Sequence, residues 1–137
     1  MIDSQSHPDA LDRPWDDLVI SILSVNQYSL ERTYGSLLAL REQQVTDPLS
    51  LAQWSSQEIE RRLRAAGCDR GEFMTRLFAE RLSALGVLVR TKGIDECHKI
   101  IAGRDARAIE ALLLPVKGIG PVVLRHFYSL RKICSSE

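Results

Sequence analysis

Asp105 to Lys132 reads DARAIEALLLPVKGIGPVVLRHFYSLRK, and the fold follows from how this stretch divides. Ile109, Leu112, Leu113 and Val116 recur at i, i+3, i+4 and i+7, the spacing of one apolar helix face, with Asp105 placed to cap its start. Gly118-Ile119-Gly120 then breaks the pattern with two residues lacking a Cβ, and one or both are expected to need positive φ. Pro121 follows where a second helix would begin, because the N–H it lacks has no helical partner there anyway. The second helix is expected to turn Val122, Val123, Leu124, Phe127, Leu130 and Ile133 inward, leaving Arg125, Arg131 and Lys132 for solvent or a ligand. Successive backbone N–H groups at such a turn, with the positive end of the helix dipole, suit an anion such as a phosphate. Close packing at a plain helix–helix corner would use the same glycines.

Composition sets the frame for this element. At 137 residues the chain is long enough for one real core and short for two. With 45% hydrophobic and 26% charged residues, it has the balance of a soluble globular protein. The apolar runs 18–23 and 112–116 are far below membrane-spanning length, and the polar, acidic start does not read as a signal peptide. Cys68, Cys97 and Cys134 are dispersed and odd in number, which points to reduced thiols in a cytoplasm. Neither they nor the three scattered histidines have metal-ligand spacing, so no metal site is expected. Net charge is zero but uneven: residues 1–86 carry 9 basic and 13 acidic side chains, a balance of −4, and residues 87–137 carry 9 and 5, a balance of +4. The positive half holds the glycine turn, a hint of a polyanionic partner, although a solvated surface often shows the same asymmetry.

In chain order, residues 1–11 are expected to be a flexible tail, 12–133 a single helical domain and 134–137 a short C-terminal tail. Pro14 opens a helix with Trp15, Leu18, Val19, Ile22 and Leu23 as its core face. Ser29 caps a helix from Leu30 to about Arg41, buried through Tyr34, Leu37, Leu38 and Leu40. Thr46-Asp47-Pro48 starts a short helix with Leu49, Leu51 and Ala52, above Trp54. Ser55 and Glu58 form a capping box for the next helix, which Gly67 stops. Arg70 to Leu85 is expected to be the longest helix, with Phe73, Met74, Leu77, Phe78, Leu82 and Leu85 inward and Gly86 as its end. Val87 to Lys92 reads as a short apolar link, and Ile94 to Ala102 as a further helix closed by Gly103. Both tryptophans have core spacing, and Cys68 reads as a buried thiol. No alternation supports a sheet, so the fold is expected to be all-α, with about seven or eight short helices.

The spacing L-x-x-(apolar)-x-G-(apolar)-G over Leu113 to Gly120 resembles the helix-hairpin-helix (HhH), which grips nucleic-acid backbone without reading sequence. The order of elements extends the likeness. Pro14-Trp15 with Leu18 to Ser24 resembles the opening helix of the HhH-GPD superfamily of DNA glycosylases, the endonuclease III-like enzymes of base-excision repair. Leu49 to Gly67 resembles the next two helices, Ala66 to Leu85 the G-(F/Y)-x-x-x-K-A helix, and Leu114 to Leu124 the hairpin. The similarity spans roughly 13–133, with an added helix around 95–103 as a departure. It implies an HhH-GPD-like helical barrel lacking the second helical lobe, and a partner in double-stranded DNA.

The candidate backbone-binding residues are accordingly Lys117, Gly118, Ile119, Gly120, Val122 and Val123, with Arg125 and Lys132 as supporting cations. Asn26 or Gln27 matches the place where the family inserts a polar side chain into the duplex, although capping by Asn26 and Ser29 would account for the same residues. Enzymes of the family flip a base and cut its glycosidic bond, using a carboxylate and, in lyases, a lysine. Here the lysine position is Val122, the aspartate would fall beyond Glu137, and the iron–sulfur cysteines are absent, so no catalytic residue and no cofactor are assigned. Asp105 and Glu110 read as a cap and a surface charge. Three readings stay open: a cytoplasmic DNA binder without autonomous catalysis, a glycosylase or lyase with a partner-supplied or unrecognised carboxylate, and a protein-interaction module or homodimer using the exposed barrel face.

Overall fold

A computed structural model describes residues 13–25 and 29–133, and all regular structure among them is helical. The order is α1 (Pro14–Leu23), α2 (Leu30–Tyr34), α3 (Leu37–Glu42), α4 (Pro48–Gln53), α5 (Ser56–Ala65), α6 (Glu72–Lys92), α7 (Ile94–Ile101), α8 (Ala106–Leu113) and α9 (Pro121–Arg131). No helix among the described residues is long and apolar enough to cross a membrane.

The core is built around α1. Leu18, Val19, Ile20, Ile22 and Leu23 are fully buried, so this helix is enclosed on nearly every side, with α2, α6 and α9 packed against it. Its polar groups are satisfied internally. Ser21 and Ser24 donate their hydroxyls to the carbonyls of Asp17 and Ile20, and buried Asp16 accepts from Arg41 at 2.6 and 2.8 Å and faces Arg13 at 3.1 Å. Trp15 is buried as expected, and its indole N–H donates to His98 Nδ1 on α7 at 3.0 Å.

The second organising element is α6, 21 residues long and packed on α4, α5, α1 and α7. Gly86 does not end it; the helix runs on through Val87 to Lys92, the stretch expected to be a link. The reason is a crossing. A Cβ at Gly86 would lie 2.2 Å from the Leu51 carbonyl oxygen, so glycine lets α4 and α6 approach backbone to backbone. Gly93, at φ +91, is the residue that ends α6. Gly67 does stop α5, at φ +85, with the Cys68 N–H reaching back to the Leu63 carbonyl at 2.8 Å.

Other expectations needed revision. The helix expected over 30–41 is divided into α2 and α3 by Gly35-Ser36, and the division rotates Tyr34 and Leu38 outward while Leu37 and Leu40 stay buried. Leu49 is exposed on α4, and Trp54 is only partly buried, with the Arg62 guanidinium 3.9 Å from its ring centroid. Ser55 accepts from the Glu58 N–H at 3.2 Å, but the Glu58 carboxylate is bonded to Arg61 and Arg62, which holds its pKa down at about 2. Phe73, expected inside, is the most exposed large apolar residue described, at 73%. Cys68 and Cys97 are buried, and burial pushes both thiols up, away from the reactive thiolate form.

Candidate functional site

The turn between α8 and α9 is fixed by its apolar residues. Asp105 caps α8, accepting from the N–H groups of Arg107 and Ala108 at 3.1 and 3.3 Å. Past Leu113 the chain tightens, with the Val116 N–H bonded to the Leu113 carbonyl at 2.9 Å and the Ile119 N–H to the Val116 carbonyl at 3.1 Å. Val116 and Ile119 are both buried and act as two pins into the core. Lys117 between them is exposed, and Gly118 and Gly120 are half-exposed.

The two glycines do different jobs. Gly118 has φ +92, a conformation L side chains rarely adopt, and the aliphatic part of Arg81 lies where a Cβ would be, 2.3 Å from Cγ. Gly120 is extended at φ −121 and ψ −168, which any residue tolerates, and a Cβ there would meet nothing within 4 Å. Neither backbone strain nor packing therefore accounts for glycine at position 120. Its effect is to leave the approach to the start of α9 unobstructed.

That start is rich in donors. Gly120 is the N-cap residue and offers no side chain, Pro121 has no N–H, and the first helical bond runs from the Leu124 N–H to the Gly120 carbonyl at 3.1 Å. The N–H groups of Gly120, Val122 and Val123 thus precede the helical ladder, aligned with the positive end of an 11-residue helix. Lys117 is exposed beside them. Leu77, Glu80 and Arg81 of α6 form the opposite wall of an open cavity of about 500 Å³ that Lys117 and Gly118 complete. The hollow holds two cations, Lys117 and Arg81, and one carboxylate, Glu80. The N–H groups at the start of α9 lie outside its lining and follow it in the chain, and cations beside helix-start donors suit one or two anionic oxygens.

The sequence-derived site residues separate on this geometry. Lys117, Gly118, Gly120 and the backbone of Val122 and Val123 come together. Ile119 contributes as a buried pin, and the Val123 side chain is also buried, so its contribution is the backbone N–H at the helix start. Val122, expected inside, is 45% exposed and carries no group able to act as nucleophile or base. Arg125 is exposed one turn along α9, where it lines a different groove. Lys132 is not part of the turn: it caps the far end of α9 at φ +58, about 15 Å away at 1.5 Å per residue. Asn26 and Gln27 lie outside the described residues.

Arg131, expected to face solvent or a ligand, is buried at 6% side-chain exposure and lies 3.5 Å from Asp17. Because Asp17 is in the first turn of α1 and Arg131 in the last turn of α9, the pair sets the two packed helices antiparallel and directs the start of α9 toward the end of α1. Burial raises the Asp17 pKa more than Arg131 lowers it. Arg104 closes the same end of α9 by donating to the carbonyls of Arg131 and Lys132.

Two further places have chemical character. An open, mainly apolar groove of about 530 Å³ runs between α8 and α9, with Leu114, Pro121, Leu124 and Ile133 in its lining and Glu110 and Arg125 at its edges. Glu110 is half-buried rather than a plain surface charge, and accepts from the Tyr128 hydroxyl at 2.9 Å; burial and this bond raise the tyrosine pKa. At the end of α1, Arg70 donates to the Leu23 carbonyl and to Thr33 Oγ1, joining α1 to α2 and to the start of α6. Phe73 was expected inside and Arg81 was not singled out, for one reason: both fall in the i, i+4, i+8 row with Leu77, which reads as a buried ladder. The charge of Arg81 was the available signal that this row leaves the core. No family model, curated protein or solved structure matches the chain.

Proposed function

We propose that this chain binds the backbone of duplex DNA through the turn from Lys117 to Val123, as an HhH-type protein related to base-excision-repair glycosylases that lacks autonomous catalysis. The observation that carries the reading is Gly120, a glycine that the local fold does not need, standing open at the helix start with its own N–H and those of Val122 and Val123. Glycine at such a place permits close approach of a ligand's oxygens to the backbone. The spacing Leu113 to Gly120 and exposed Lys117 fit a phosphate in that position, and contacts of this kind position a duplex without reading its sequence. An HhH-GPD-like barrel is the finer fold we propose, supported by the antiparallel α1–α9 pair, which brings the end of α1 toward the turn. Catalysis has no support at position 122, where valine stands.

The test is binding to a short duplex containing an abasic-site analogue at two salt concentrations. Wild type should bind and weaken roughly tenfold over a fourfold rise in salt, as expected for two or so neutralised phosphates. The Gly118→Ala/Gly120→Ala double variant should fail, and Gly120→Ala alone should bind weakly while melting like wild type. Equal indifference of all three proteins to DNA would remove the reading. The groove between α8 and α9 supports a second one, a protein-docking module, because its apolar lining includes exposed Leu114.

A further inference from the structure

We propose that Phe73 is a stacking platform for an unpaired base, so that the preferred ligand of this surface is a nucleic-acid strand interrupted by unpaired nucleotides rather than an intact duplex. This rests on the backbone-binding reading of the turn and adds to it a specificity element on α6.

Three observations lead there. Phe73 is 73% exposed, whereas Phe78 and Phe127 are enclosed. It stands in one row of α6 with Leu77 and Arg81, and this row is tied to the turn: Leu77 and Arg81 line the hollow with Lys117 and Gly118, and the Arg81 chain lies on Gly118. Eight residues of helix separate Phe73 from Arg81, about 12 Å, or roughly three to four nucleotide steps at 3.4 Å each. A strand with one phosphate at the turn and running along α6 therefore brings a base to the ring within a few nucleotides.

Charge along this path is nearly balanced. Lys117, Arg81 and Arg76 are offset by Glu80 and by Glu72, whose carboxylate is bonded to Arg76 at 3.2 Å. A strand gains little electrostatic attraction beyond the turn, and the apolar ring is what this part of the surface offers. A base inside an intact duplex keeps its own stacking partners and cannot use the ring; an unpaired base can, and any of the four will serve because each has an aromatic face.

The experiment measures fluorescence anisotropy on a blunt duplex and on the same duplex with a central single-stranded gap, using wild type, Phe73→Ala, Phe73→Trp and Gly120→Ala. Wild type should prefer the gapped duplex. Phe73→Ala should lose about tenfold on the gapped duplex and nothing on the blunt one, by a factor that salt leaves unchanged, while Phe73→Trp retains the preference. A Phe73→Ala protein that matches wild type on both, or weakens equally on both, overturns the stacking role. If blunt-duplex binding still depends on Gly120, the backbone reading survives that failure. If wild type binds neither probe, both readings fall, and exposed Phe73 is then assigned to a protein contact.

Discussion

Gly86 and Gly118 are both glycines that a Cβ would crowd to nearly the same degree, at 2.2 and 2.3 Å, yet they belong to opposite kinds of structure. At Gly86 the obstacle is the backbone of Leu51, which α4 holds in place, and the residue sits in ordinary helical conformation. At Gly118 the obstacle is an Arg81 side chain that can swing away, but φ is +92. One glycine is required by what lies outside it, the other by its own backbone. The first secures a crossing in the interior; the second shapes a surface turn.

The largest effect should therefore come from Gly86→Ala. No rotamer relieves a clash with backbone, so α4 and α6 must separate and the packing around Leu51 and Leu82 must loosen. A loss of about 3 kcal/mol, at the upper end for overpacked cores, is expected in denaturant titration. A loss under about 1 kcal/mol would mean the crossing is compliant and the comparison between the two glycines fails.

The same contrast explains what the sequence disclosed. Glycine, read along a chain, is punctuation: Gly67 does end α5, and by that logic Gly86 should have ended α6. Nothing local distinguishes them, because the partner that makes Gly86 necessary lies 35 residues earlier. Exposure failed to be read for a related reason. Phe73 and Leu77 have the spacing of a buried row, and the spacing is real, but the row runs off the edge of the core and periodicity carries no information on where the core stops. The turn was legible because its requirements are local: apolar pins at Val116 and Ile119, a positive φ, a proline at N1. Arg131 was not, since its partner Asp17 is 114 residues away and a charged residue near a helix end ordinarily faces water.

That buried pair extends the comparison to the way each region is held. The α4–α6 crossing is secured by close backbone and apolar contact and by Arg90 donating to the Ala52 carbonyl, whereas α9 is fixed at its far end by Arg131 against Asp17 and by Arg104 on its terminal carbonyls. Arg131→Met should cost about 2 kcal/mol, less than the loss for a fully buried pair because Asp17 keeps some solvent and the separation is 3.5 Å. If α9 is positioned by this anchor, the variant should also weaken the proposed DNA binding, while Gly86→Ala, assayed where it is folded, should not. Equal binding losses in the two would erase the distinction between crossing and anchor.

Gly118→Ala should be milder, about 1–2 kcal/mol, the cost of holding an L residue in a left-handed conformation once Arg81 has moved aside. Gly118→Asn should recover part of it, since asparagine tolerates positive φ better than alanine. Were alanine and asparagine equally destabilising, the volume of Arg81 rather than the backbone would be limiting, and Gly118 would resemble Gly86 after all.

The smallest effect concerns pH, and it also separates the two regions, because a carboxylate, Asp17, sits at the α9 anchor, whereas the crossing is closed by backbone contact and an arginine. The folded pKa of Asp17 is raised above its ordinary 3.8 by burial, against the opposing pull of Arg131. Between 3.8 and that raised value the native protein holds a proton that the unfolded chain releases, so native stability declines as pH rises through the window and is level above it. Glu58 acts the other way and lower down: its folded pKa of about 2 makes its contribution fade as pH falls from 4.5 toward 2. The two are therefore distinguishable in one thermal-melt series. Subtracting the melting temperatures of Asp17→Asn from those of wild type should leave a difference that falls with rising pH just above 3.8 and is flat elsewhere. A flat difference throughout would mean that Arg131 fully offsets the burial of Asp17, and that the anchor holds α9 as a compensated ion pair.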